Sequence, residues 1–215
     1  YLGSSVFKCC SSLKQITTPS SLETLGMNAF YNCTSLKKVS FEDLSSLKSI
    51  EPSTFFGCSS LVEINLPSTI REIKSSAFRD CKSLKQISIP LKVKVIKLYT
   101  FKNCENLEEV TLHSFLTRIE DKAFEGCSKL KSITIPSSVS EIGEESFSGC
   151  TSLSEITLDL KRTTIKQSSF TNCRSMEHLK IGPSTRRING TNINIISTIK
   201  KITVGENVTR INSSA

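Results

Sequence analysis

Nine cysteines and two histidines carry the readiest chemistry in this 215-residue chain. Eight of the cysteines form one series, Cys10, Cys33, Cys58, Cys81, Cys104, Cys127, Cys150 and Cys173, stepped by 23 residues except for 25 between Cys33 and Cys58. A zinc site draws on pairs of ligands a few residues apart, so this interval argues against a metal. Side chains recurring at one interval in a coiling chain point the same way, and the series predicts a ladder of buried free thiols acting as small apolar groups. Cys9 stands off the series and is expected to be exposed, the most reactive thiol of the chain. His113 and His178 are far apart, with no Ser, Cys or carboxylate partner at fixed spacing, and no glycine-rich phosphate loop occurs. Neither catalytic residues, nor a metal, nor a cofactor is expected.

The elements that position the cysteines follow the same interval. Phe7, Phe30, Phe55, Phe78, Phe101, Phe124, Phe147 and Phe170 each stand three residues before a cysteine of the series. Leucine or methionine follows each cysteine by three residues (Leu13 through Met176), and an aliphatic follows by six (Ile16 through Leu179). A last aliphatic column comprises Leu25, Ile50, Ile73, Ile96, Ile119, Ile142, Ile165 and Ile188. In Leu84-Lys85-Gln86-Ile87-Ser88-Ile89-Pro90 the apolar residues alternate with period two and proline ends the run, which predicts one short strand per unit. Ala77-Phe78-Arg79-Asp80-Cys81 predicts a single helical or 3-10 turn that aims Phe and Cys inward on the return side. Strands recurring at a fixed interval stack in parallel about 4.8 Å apart, and no unit buries its apolar face alone. The expected fold is a solenoid, a curved right-handed α/β coil with a parallel sheet on its concave face, built from about nine units in one domain spanning 1–215.

The run Leu130-Lys131-Ser132-Ile133-Thr134-Ile135-Pro136-Ser137-Ser138-Val139-Ser140-Glu141-Ile142, continued to Phe147 and Cys150, resembles the BspA-like, or Treponema pallidum-type, leucine-rich repeat. The resemblance extends from Leu2 to about Ile211. It implies a leucine-rich-repeat solenoid. It further implies a surface or secreted protein of the kind found in mucosal bacteria and parasitic protists, associated with adhesion to host or matrix proteins. A fold of this kind is a scaffold and does not by itself specify a ligand.

The pattern breaks in several places. Two extra residues around Glu42-Asp43-Leu44-Ser45-Ser46 fit a bulged loop after a strand. Arg162 stands where Val93, Leu116 and Val139 stand elsewhere, with Leu160 expected to fill the gap. Ile193 and Ile196 replace Phe and Cys, which reads as a degenerate terminal unit flanked by Asn189, Asn192 and Asn194. The chain opens on Tyr1 inside a unit, as a fragment of a longer protein does. Its uncapped apolar end calls for more units before Tyr1 or for self-association there. No apolar run reaches the roughly 20 residues of a transmembrane segment, and no signal peptide is legible.

With the aliphatics inward, the intervening residues face solvent on the concave side. The candidate binding residues are Lys14, Lys37, Lys38, Glu63, Lys85, Gln86, Glu108, Glu109, Lys131, Glu155, Glu177 and His178. One outward column is nearly all Ser or Thr, suited to pairing across strands, and another mixes Lys with Glu. The net charge of +8 raises nucleic acid as a partner, but Glu interleaves with Lys on this face and no aromatic column accompanies them, so nucleic acid is not expected. Lys48, Arg71, Lys94, Arg118, Arg186, Arg187 and Arg210 form a candidate basic edge for sulfated glycans or acidic proteins. Asn189, Asn207 and Asn212 open N-x-S/T sequons suited to N-glycosylation in a secreted eukaryotic chain, whereas Asn32 adjoins the cysteine ladder. These features point to a non-enzymatic binding module, and the family resemblance implies that it binds a host or matrix protein or glycan at a cell surface or outside the cell. The alternative is an intracellular scaffold for protein partners, since reduced thiols suit either compartment.

Overall fold

The structure is a computed structural model. It describes residues 1–43, 45–159, 163–166, 168–183, 185, 187–189 and 199–212, with 187–189 and 210–212 described by backbone alone. Leu160, Arg162, Asn192, Ile193, Asn194 and Ile196, on which the expected gap-filling and terminal unit rest, lie outside the described residues.

Alternation of outward polar and inward β-branched residues produces a first ladder, a line of parallel strands that pair as three successive sheets: β1 (Gln15–Thr18), β2 (Lys38–Phe41) and β4 (Glu63–Ile64), then β6 (Gln86–Ser88) and β8 (Glu109–Thr111), then β10 (Ser132–Ile135), β12 (Glu155–Leu158), β14 (His178–Ile181) and β16 (Lys201–Val204). Equivalent residues pair in register, as in Ile133 with Ile156 and Ile156 with Leu179. The two-residue insertion sits in the loop after β2, where the Glu42 N–H donates to the Thr18 carbonyl at 3.1 Å and the Ser20 N–H to the Glu42 carboxylate at 3.0 Å.

A second ladder, absent from the sequence reading, runs through the last aliphatic column. Its strands are β3 (Ser49–Ile50), β5 (Glu72–Ile73), β7 (Val95–Ile96), β9 (Arg118–Ile119), β11 (Glu141–Ile142) and β13 (Thr164–Ile165), with β15 (Arg187–Asn189) and β17 (Arg210–Asn212) pairing farther on. Strands β3 to β13 of this ladder are two residues long, each ending on the buried isoleucine, and β15 and β17 are three. Together the ladders make a parallel-strand solenoid.

The return side corrects the expected helical turn. Among the described residues no helix or 3-10 segment forms. In the turn around Phe30, the N–H groups of Ala29, Tyr31 and Cys33 bond within the turn, to Gly26, Asn28 and Phe30. Those of Asn28, Phe30 and Asn32 instead reach the next turn, to the carbonyls of Pro52, Thr54 and Phe56 at 3.1, 2.9 and 2.7 Å. A helix would consume all these donors internally and leave neighbouring turns unbonded. Left-handed residues at Asn28 (φ 57°) and Asn32 (φ 54°) rotate alternate amides sideways, and the pattern recurs at Ser76 and Asp80, and at Tyr99 and Asn103.

The core lies between the ladders and these turns. Phe7 through Phe170 stack as one column with ring centroids 5.2 to 5.5 Å apart and interplanar angles of 15° or less. Burial of each ring is worth about 1.5–3 kcal/mol and a ring pair about 0.5–1.5 kcal/mol more, so this column is a principal source of cohesion between turns. Cys33, Cys58, Cys81, Cys104, Cys127, Cys150 and Cys173 are buried free thiols, as the spacing predicts. Cys10 departs from the expectation and is exposed beside Cys9.

Candidate binding surfaces

The strands of the first ladder aim Gln15 and Thr17, Glu109 and Thr111, and their equivalents outward while Ile16, Val110 and their equivalents as far as Leu179 turn inward, and Ile202 on β16 is exposed. Lys14, Lys37, Lys38, Glu63, Lys85, Gln86, Glu108, Glu109, Lys131 and Glu177 are exposed along this face, and Glu155 and His178 are half-buried in it. The charges differ between its two ends. Toward β16 they neutralise one another across strands: Lys131 to Glu108 at 3.0 Å, Lys180 to Glu155 at 2.7 Å, and Lys200 to Glu177 at 2.6 Å. The bond from Lys131 holds the Glu108 carboxyl below its usual range, and the bond from Lys180 outweighs desolvation and, aided by His178, does the same to Glu155. Exposed pairs of this kind add little stability, and here they offset the charge of this end of the face. Toward β1, no ion pair occupies Lys14, Lys37, Lys38 or Glu63 among the described residues, although Lys38 and Glu63 are register partners.

Shallow grooves cross the middle of the face. One runs between Glu63, Asn65, Gln86, Ser88, Glu109 and Thr111, and another between Val62, Lys85 and Glu108. The Ser/Thr column is in register at Thr17 with Ser40, Ser88 with Thr111, and Thr134 with Thr157, then is broken by Lys180 opposite Thr203.

The histidines are not brought together. His178 lies on β14, its Nδ1 3.1 Å from Glu155 and its Nε2 2.7 Å from the Thr203 hydroxyl. His113 follows β8, and its Nδ1 accepts the Phe115 N–H at 3.2 Å. Strands β10 and β12 stand between the two sites. No group of three or more His, Cys, Asp or Glu with metal-holding geometry occurs among the described residues.

The expected basic edge divides. Lys48, Arg71 and Lys94 share one row just ahead of the second ladder, where the Arg71 N–H donates to the Lys48 carbonyl at 2.8 Å. The row continues as Thr117 and Ser140, since the Thr117 N–H bonds Lys94 and the Ser140 N–H bonds Thr117. Arg118 is one residue further along, in register with Val95 and Glu141, and its guanidinium binds Glu141 at 3.1 Å. Arg118 therefore does not extend the row, because a shift of one residue on a strand changes both its direction and its neighbours. Arg186 lies outside the described residues. The backbones of Arg187 and Arg210 are register partners in β15 and β17, but their side chains lie outside the described residues, as do those of Asn189 and Asn212. Asn207 is exposed, and its amide donates to the Pro183 carbonyl at 3.0 Å.

Sequence reasoning missed two aromatic features. On the return side Tyr31 stacks on Phe56 at 4.7 Å, and Arg79 lies over both Phe56 (5.2 Å) and Tyr99 (5.4 Å). In the loops between the ladders, Leu91 and Phe115 remain 62% and 54% exposed. Both fall at the middle of i-to-i+3 turns closed by the buried Val93 and Leu116, a position the Pro-x-x-aliphatic pattern marks as outward.

The sequence matches the BspA type leucine rich repeat region, in six copies, over residues 1–131 and 94–215. The chain belongs to the BspA-type leucine-rich-repeat family. Among solved structures it is similar to a leucine-rich repeat protein from Bacteroides ovatus (25% identity, TM-score 0.64), with 99% of this chain and 66% of that one covered. It is also similar to the Treponema pallidum leucine-rich repeat protein (24% identity, TM-score 0.56, 69% and 71% covered). A leucine rich cell surface protein from Faecalibacterium prausnitzii shares the fold at 22% identity and TM-score 0.54, with 99% and 82% covered. The chain thus spans slightly under two thirds of the Bacteroides protein's length. No curated protein is significantly similar in sequence. Among the described residues, no helix is long and apolar enough to cross a membrane.

Proposed function

We propose that this BspA-type repeat chain is a non-enzymatic binding module, displayed at a cell surface or secreted, that adheres to a host or matrix macromolecule through the face of its first strand ladder. The observation that carries this reading is the face itself: exposed polar side chains on parallel strands in register, crossed by shallow grooves. A small molecule needs an enclosed, mostly apolar pocket, whereas a broad polar ribbon with preset side chains suits a large partner. The unneutralised Lys14, Lys37 and Lys38 make the β1 end the favoured contact for acidic groups. Family membership supports an interaction module, and the placement outside the cell rests on the family resemblance. On that placement, and in a eukaryotic source, the sequons at Asn189, Asn207 and Asn212 are sites for N-glycans, and Asn207 is exposed.

Binding of the full chain to immobilised fibronectin and laminin tests the reading. Combined Lys37→Glu and Lys38→Glu substitutions are expected to weaken capture by about tenfold, the loss of two or three rim charge contacts. Capture that is unchanged by these substitutions and by Lys85→Glu overturns the face as the binding site. Antibody labelling of intact source cells checks the location. Signal that appears only after permeabilisation overturns surface display in favour of an intracellular scaffold.

A further inference from the structure

We propose that the loop row between the two ladders is a second docking site, built for an acidic peptide segment that carries apolar side chains. Leu91 and Phe115 project from adjacent turns, and Arg71, Lys92 and Lys94 surround them in one open depression. Two properties coincide at this patch. The first is charge: no carboxylate pairs with Arg71, Lys92 or Lys94 among the described residues, whereas Lys74, Lys97 and Lys122 each reach a glutamate one turn away. Lys94 instead lies over the Phe115 ring, its Nζ 5.0 Å from the ring centre. The second is apolar exposure, since Leu91 and Phe115 are more than half accessible where the equivalent positions one turn earlier and one turn later hold Ser68, Thr69, Ser137 and Ser138.

The combination selects the ligand chemistry. Cations on successive turns stand about 4.8 Å apart and same-side side chains of an extended peptide repeat at about 6.8 Å, a difference that the long, flexible Arg and Lys side chains span. A purely anionic polymer such as a sulfated glycan satisfies the cations but leaves Leu91 wet. An apolar segment without charge leaves the cations unpaired. A peptide with both kinds of side chain removes Leu91 and Phe115 from water and places carboxylates against Arg71 and Lys92. This inference deepens the binding-module reading by naming a partner's chemistry, and it uses residues outside the first-ladder face, so either can fail while the other stands.

Fluorescence anisotropy of the full chain with labelled synthetic peptides tests it. A short glutamate-rich peptide carrying one leucine and one phenylalanine is compared with the same peptide bearing serine at both places, and with a heparin oligosaccharide. The apolar-containing peptide is expected to bind about tenfold more tightly than its serine counterpart. Leu91→Ser with Phe115→Ser abolishes that difference, and Lys92→Gln with Lys94→Gln weakens both peptides and flattens the decline in affinity between about 0.05 and 0.5 M salt. Equal binding of the two peptides overturns the proposal. So does heparin binding that is tighter than either peptide and indifferent to Leu91→Ser and Phe115→Ser, which would assign the patch to glycans.

Discussion

The Cys104 thiol donates to the carbonyl oxygen of Phe78, one turn back, at 3.2 Å, while the same oxygen accepts the Cys81 N–H at 3.2 Å. The arrangement repeats from Cys33 on Phe7 to Cys173 on Phe147. Each buried cysteine is therefore a donor between turns as well as an apolar filler. That explains a thiol at a site where alanine or valine would supply bulk alone. Cys104→Ala is expected to cost about 1–2 kcal/mol, the sum of a lost net hydrogen bond and a small cavity. Cys104→Ser, which keeps a donor, should cost less. Urea unfolding of the two variants checks the order, and a serine variant as unstable as the alanine one contradicts the donor role.

Thiol reactivity should divide sharply along the chain. Cys9 and Cys10 are exposed, whereas burial raises the Cys33 thiol to about 11 and the Cys173 thiol to about 12, and pushes those of the turns between them far up. Reaction proceeds through the thiolate, so N-ethylmaleimide at pH 7.5 should add to Cys9 and Cys10 of the native chain well before the rest. Intact-mass and peptide mapping read the result. Early modification of Cys104 or Cys127 would mean that the middle turns open far more easily than their packing implies.

Ser146 is buried and its hydroxyl has no hydrogen-bond partner, unlike Thr100, whose hydroxyl donates to the Lys97 carbonyl at 2.7 Å. Alanine occupies the equivalent place at Ala77 and Ala123. Ser146→Ala should therefore raise stability, by about 1 kcal/mol, because it removes an unsatisfied buried polar atom without opening a large void. A lower melting temperature for the variant would show that the hydroxyl is satisfied in solution.

Stability should fall on both sides of neutrality. Burial alone would raise the Glu51 carboxyl, but Lys74 at 2.8 Å and the Ser49 hydroxyl outweigh it and hold it low, as Lys180 holds Glu155. A carboxyl depressed in the folded chain stabilises it above the unfolded value near 4.5, and that contribution is lost as pH falls through the lower folded value. The cysteines act in the opposite sense. Their thiols are raised in the fold, so their contribution is complete below the unfolded value near 9 and declines as pH rises beyond it. Melting temperatures should be level between about pH 5.5 and 8 and drop outside that window. In Glu51→Gln the acid-side drop should shrink, and an identical acid profile would remove Glu51 as a contributor.

Some of what was hidden from the sequence reading had a signal. The column Asn32, Gly57, Asp80, Asn103, Gly126, Gly149 and Asn172 consists of residue types that tolerate the left-handed conformation, and each adopts it. It announces bent turns in place of helical ones. The companion column gave no such signal, since Ser76, Tyr99, Lys122 and Glu145 are ordinary residues held at φ of 52° to 58° by the stack around them. The offset of Arg118 from Lys94 was equally hidden, because register in a two-residue strand is set by the neighbouring turns.

The amino-acid order alone determined the repeat: which side chains recur, that Phe and Cys columns face a common core, and that polar residues between the aliphatics face outward. Those properties follow from periodicity, because identical units can bury their apolar sides only against one another. Tertiary stacking decided which amides turn sideways, which charges meet a partner one turn away, and which are left uncompensated around Leu91 and Phe115. Such outcomes depend on distances between residues about 23 positions apart, and those distances exist only once the coil has closed.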